Sequence, residues 1–141
     1  MKNEKSFKLE QILFEAYILH FPFEDGITHP AEKLIQKMFK EDNFHTIEYL
    51  IQLWKKFNNN KKSDLLKIIS RTSCKIILYN FVQDALKSDN IILRDSAIHA
   101  LENFRNKNSL KILINHHEKV KWLQDYKNKI ITEIKNEIAC K

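Results

Sequence analysis

Glycine and proline are nearly missing from this chain, with one Gly and two Pro in 141 residues, where average usage would give roughly ten and seven. Chemistries that hang on glycine loops go with them: there is no dinucleotide fingerprint, no phosphate-cradling loop and no nucleophile elbow. All-β architectures, which need Gly and Pro at their many turns, are disfavoured on the same ground. Pro22, Gly26 and Pro30 all fall in one short stretch. Cysteine is scarce too. Cys74 and Cys140 lie far apart, outside any CxxC or Cys/His metal spacing, which points to reduced thiols rather than to a zinc site or a disulfide scaffold. No apolar run approaches the roughly 18 residues of a membrane span. The N-terminal MKNEKSFKLE leads into no apolar signal core, so the expected compartment is the cytoplasm, with no membrane partner.

Arginine is the next scarce residue. Of 24 Lys and Arg against 18 Asp and Glu, only Arg71, Arg94 and Arg105 are guanidinium cations. Arg is the residue that forks onto phosphates and guanine edges, so a nucleic-acid partner is the weaker reading of the net charge of +6. Residues 1–40 are charge-balanced, whereas residues 101–141 carry nine cations against five acids. The basic surface is therefore C-terminal, and its natural partner is a protein with an acidic docking face.

What the chain does have is helical periodicity. Ser6 is placed to cap a first helix with Leu9, Ile12, Leu13, Ala16, Tyr17 and His20 on one stripe and Phe14, Ile18 and Phe21 on another. A helix apolar over so much of its circumference is expected to pack against two neighbours. Thr28 is placed to cap the next helix, with Pro30 in its first turn and Ala31, Leu34, Ile35, Met38 and Phe39 inward. A third helix runs to about Phe57. Asn58 to Lys62 reads as a polar turn, Ser63 to Leu86 as two helices broken near Arg71 to Ser73. Three more follow: one from Ile91 to Phe104, a short one from Leu110 to His117, and a last one from Val120 to Ile138. The expected architecture is all-α, seven or eight short helices joined by loops of two to five residues, hence antiparallel neighbours.

The run Asp89-Asn-Ile-Ile-Leu93-Arg94-Asp-Ser-Ala97-Ile-His-Ala100-Leu101 resembles the first helix of a HEAT-type repeat. Small Ala97 and Ala100 admit a paired helix, and Leu93 and Leu101 fill the seam. Trp122-Leu-Gln-Asp125-Tyr126 echoes it thirty residues on, with Gln124 in place of Arg94 and Lys127 in place of Ala97. The resemblance covers residues 88–138. It implies stacked antiparallel hairpins of HEAT or armadillo type, the alternative being an irregular bundle, and an Arg94 paired with an acidic turn residue of the adjoining repeat.

Chemical constellations are few. His116 and His117 are adjacent, so on a helix they point about 100° apart and cannot chelate one ion together. Cys74, in an apolar helical context, reads as an inert thiol, and His99 as a residue edging the helix seam. Trp54 and Trp122 are candidates for partner anchors, since exposed Trp is enriched in interface hot spots, but both occur at helical spacing with Ile and Leu and are read as core. Lys55, Lys56, Lys61 and Lys62 form one basic set, and Lys107, Lys111, Lys119, Lys121, Lys127 and Lys129 a second; both are expected on the surface. No catalytic, cofactor or metal site is expected. The expected function is a non-enzymatic protein-binding module that uses the second lysine set, most concretely a bacterial immunity protein that neutralises a cognate toxin. A nucleic-acid-binding helical repeat and an adaptor or scaffold are the alternatives.

Overall fold

The structure, a computed structural model, describes residues 4–24, 26–72 and 75–140. Among the described residues there are eight helices and no strand: α1 (Glu4–His20), α2 (Pro30–Glu41), α3 (Asn43–Lys56), α4 (Asn59–Ser70), α5 (Lys75–Leu86), α6 (Ile91–Phe104), α7 (Lys107–Asn115) and α8 (Lys121–Ala139). The expected break after Ser70 is present, since Arg71 closes α4 and α5 begins at Lys75. Ser73, at the far edge of that break, and Cys74 lie outside the described residues.

Without glycine, the chain starts and ends its helices by other means. Asp42, Asn58, Asn90 and Asn106 each accept a backbone N–H from the first turn of α3, α4, α6 and α7, supplying one of the donors that every helix start leaves unpaired. Asn58 thereby draws Asn59 to Lys62 into α4, where the sequence pattern reads as a turn, and Asn106 starts α7 three residues earlier than Leu110. Helix α6 ends on Arg105 at φ 44°, a left-handed conformation usually left to glycine. Ser6 is not a cap, because α1 already includes Glu4.

The cap of α2 is His29, not Thr28. Its Nδ1 accepts the Ala31 N–H at 3.1 Å, its own N–H donates to Glu32 Oε2 at 2.6 Å, and Pro30 takes the first helical position. This is a capping box with an imidazole in the usual hydroxyl position. The ring's other nitrogen, Nε2, lies 2.9 Å from the Phe21 carbonyl. A carbonyl can only accept and an amide N–H only donate, so His29 is the neutral Nε2–H tautomer. It clips the end of α1 to the start of α2 across the loop that holds Pro22 and Gly26.

Helix α1 packs on α2 and α4, α2 on α3 and α4, α4 on α5 and α6, α6 on α5, α7 and α8, and α7 on α8. The α4–α6 contact is the most extensive. Its cause is small side chains: Ser63 on α4 hydrogen-bonds Ser96 on α6, and Ala97 and Ala100 are buried beside them. Around this seam the fully buried side chains include Leu65, Ile68 and Ile69 of α4, Leu93, Ile98 and Leu101 of α6, and Leu78 and Val82 of α5. Trp54 is core as expected. It stacks on Phe81 at 4.5 Å between ring centres, and its indole N–H donates to Asp84 at 2.7 Å, joining α3 to α5.

Helix α1 corrects the expectation of two covered stripes. Phe7, Phe14 and Ile18 face the core, whereas Leu9, Ile12, Leu13 and Leu19 are exposed. Helices α2 and α4, and α3 through Tyr49 and Lys56, all meet α1 without covering these four residues.

Candidate protein-docking surface

The short α7, the loop 116–120 and the start of α8 form the basic end of the molecule. Lys107 and Lys111 stand one turn apart on α7, Lys119 lies in the loop, and Lys121 and Lys129 lie on α8; all five are exposed. Lys121 pairs with Asp125 at 3.1 Å, but Lys107, Lys111, Lys119 and Lys129 make no ion pair among the described residues. The other basic set differs. Lys56 pairs with Glu15 at 2.6 Å, Lys61 donates to the Ile18 carbonyl at 3.1 Å, and Lys62 lies over the Trp54 ring. Lys55 makes no ion pair among the described residues either, but four exposed, unpaired lysines fall together on α7, the 116–120 loop and α8.

Lys127 is a correction. It was expected among the surface lysines, yet it is 5% exposed in the seam of α8 with Leu123, Ile130 and Ile134. Its ammonium donates to the His116 carbonyl at 2.6 Å, a group at the carbonyl-rich end of α7, where a cation is favoured. Burial holds the Lys127 amine below its usual range, partly offset by the neighbouring Glu118 carboxylate.

Trp122 is a second correction: it is 56% exposed, not core. The seam of α8 runs through positions 123, 127, 130 and 134, and Trp122 points about 100° away from it. Trp122 and Lys129 are seven residues, about two turns, apart and so share a stripe. Ile114, seven residues after Lys107 on α7, is likewise exposed. A core-type indole is therefore presented among cations.

The loop that carries Lys119 is fixed from below by Glu118, whose side chain is inaccessible to solvent. Its two oxygens accept Arg94 Nε at 2.9 Å and Nη2 at 3.3 Å, the Val120 N–H at 2.8 Å, and His116 Nε2 at 3.2 Å. Arg94 also donates to the Ser88 carbonyl at 3.0 Å. Burial alone would push the Glu118 carboxyl up, but these bonds outweigh it and hold it down at about 2. Arg94 is thus paired with an acid in the loop between α7 and α8.

His99 does not merely edge a seam. It is half-exposed, with Nε2 3.4 Å from Asp95 and Nδ1 2.6 Å from the Tyr126 hydroxyl, which donates to Glu102 at 2.6 Å. The Tyr126 hydroxyl thus has one proton to place between Glu102 and His99 Nδ1. Bonding to Asp95 pushes the imidazole up from its usual range against the opposing effect of burial. Nothing at the level of local spacing singles this group out, because Asp95, His99 and Glu102 read as an ordinary solvated helix face until Tyr126 is brought over from α8.

His116 and His117 part company, the first bonding Glu118 and the second exposed. Among the described residues no three His, Cys, Asp or Glu side chains converge as a metal site requires, and no helix is long and apolar enough to cross a membrane. Comparison with protein-family models, with curated proteins and with solved structures finds no match to this chain.

Proposed function

We propose that this chain is a non-enzymatic protein-binding module that docks an acidic partner face on α7 and α8. The observation that carries the reading is Trp122, an exposed indole on a surface whose lysines Lys107, Lys111, Lys119 and Lys129 have no internal counter-charge. Trp and its surrounding ring of neighbours is the usual composition of an interface hot spot, and unpaired cations steer an acidic partner towards it. The partner it fits has an apolar recess for the indole rimmed by carboxylates. In its most concrete form the module is a bacterial immunity protein that occludes a cognate toxin in the cytoplasm.

The same proposal includes HEAT-like stacking. The even-numbered helices touch in sequence, α2 to α4 to α6 to α8, and each neighbouring pair is joined by a short connection, as layered hairpins would be. Arg94, tied to the next turn through Glu118, supports it.

The test is a pull-down from native extract with the full chain, followed by kinetics on the captured protein. Trp122→Ala is expected to raise Kd at least thirtyfold, mainly through faster dissociation, and Lys129→Glu to slow association. Recovery of duplex nucleic acid alone, bound at low salt and lost at physiological salt, would replace this reading with the nucleic-acid one.

A further inference from the structure

Between α4 and α6 lies a cleft of about 740 Å³ whose lining includes Phe23, Lys67, Arg71, Asp95, His99 and Asn103. Its volume is that of a small-molecule site. Its lining is rich in hydrogen-bond donors. The Lys67 ammonium lies 5.3 Å from the centre of the Phe23 ring and makes no ion pair among the described residues. Arg71 is stacked on the same ring at 4.4 Å and uses only Nη1, on the Ile27 carbonyl at 3.2 Å and Glu32 at 3.4 Å. Its Nε and Nη2 are therefore uncommitted.

From α6, the Asn103 amide reaches the Ser70 hydroxyl only at 3.4 Å. Asp95, the one carboxylate on the lining among the described residues, is engaged by His99, whose other nitrogen faces Tyr126. Lys67 and the free nitrogens of Arg71 thus face a common space, next to one aromatic wall.

We infer that this cleft binds a small molecule bearing a phosphate monoester, received by Lys67 and the Nε and Nη2 of Arg71, with the rest of the ligand beside Phe23 and His99. A phosphate monoester suits this arrangement because its second negative charge matches the two cations and its three terminal oxygens are not confined to one plane, as a carboxylate's two are. The site shares no residue with the docking lysines, so either can be lost while the other is kept.

The test is an NMR titration of the full-length chain with phenyl phosphate, and with benzoate as the carboxylate control, at low ionic strength. Phenyl phosphate is expected to move the His99 ring and Asn103 side-chain amide signals saturably, and at least tenfold more tightly than benzoate. Lys67→Gln, a partly exposed position, is expected to weaken binding tenfold or more, and Lys129→Gln to leave it unchanged. Shifts that never saturate, that spread evenly over the surface lysines, or that survive Lys67→Gln in a chain with unaltered circular dichroism would overturn the inference. Tighter binding of benzoate would overturn the phosphate assignment.

Discussion

Replacing Glu118 by Gln removes one atom's charge and almost nothing in shape, which makes it the sharpest probe of how α7 and α8 are held. Each Glu118 oxygen accepts two bonds from groups that can only donate or are donating: Arg94 Nε and His116 at one, Arg94 Nη2 and the Val120 N–H at the other. Whichever oxygen becomes an amide nitrogen, two donors then face a donor. Arg94 keeps one bond to the remaining amide oxygen and one to the Ser88 carbonyl, but its buried charge loses its counter-ion. Breaking one side of a buried pair in this way costs about 3–5 kcal/mol, a large share of the 5–15 kcal/mol typical of a domain.

The carboxyl also sets an acid limit. Its folded value of about 2 lies below the ordinary 4.5, so its contribution is complete above pH 4.5 and is lost as pH falls towards 2. That difference corresponds to about 3 kcal/mol. Urea denaturation followed by tryptophan fluorescence between pH 2 and 7 is the assay. At pH 7, E118Q is expected to unfold at about 1.5–2.5 M less urea with an unchanged slope, on a slope of about 2 kcal/mol/M. Its stability is also expected to fall less than the wild type's between pH 4.5 and 2. A loss under 1 kcal/mol, or parallel acid curves, would refute the reasoning.

Four further outcomes follow from the geometry. Phe14→Ala is expected to cost about 3–5 kcal/mol, and Ile12→Lys within about 0.5 kcal/mol, by thermal or urea unfolding; equal costs would mean that α1 is turned the other way. His29→Ala is expected to cost about 1–2 kcal/mol by loss of the α2 cap, checked by the same unfolding curves. His99 faces Asp95 and Glu102 on its own helix, Lys67 on α4 and Tyr126 on α8, and its raised folded value makes it stabilising at low pH. That contribution, under about 1 kcal/mol for a half-exposed group, is present below about 6.5 and lost as pH rises through the folded value. An NMR titration placing His99 below 6.5 would contradict it. Lys127→Met, which keeps the stem but not the ammonium, is expected to leave partner association unchanged, where Lys129→Glu slows it.

Some of this was legible from local pattern and some was not. Helix α6 was, because Leu93, Ala97, Ala100 and Leu101 lie on one side and a capping Asn90 precedes them, so period and punctuation agree. Helix α1 was not, since its apolar residues circle the axis and only the positions of α2, α3 and α4 decide which are covered. Lys127 misled for a physical reason: lysine is rarely buried, and the carbonyl that accepts its proton belongs to a different helix. The same holds for the cleft. Lys67 and Arg71 on α4, and Asp95, His99 and Asn103 on α6, each repeat every four residues as solvated faces do, and the space between them exists only once the two helices have packed.

The place of α6 between α4, α5, α7 and α8 has a consequence for the order in which the molecule opens. A helix with four packed neighbours exchanges its amide hydrogens only when most of the structure is lost, whereas α1, held along one side, is released by smaller openings. Hydrogen exchange in D₂O is therefore expected to mark a gradient, slowest at Leu93 to Leu101 and quicker towards the N-terminal helix. A partner that grips α7 and α8 would extend the slow region along the chain from its centre, making protection itself a readout of docking.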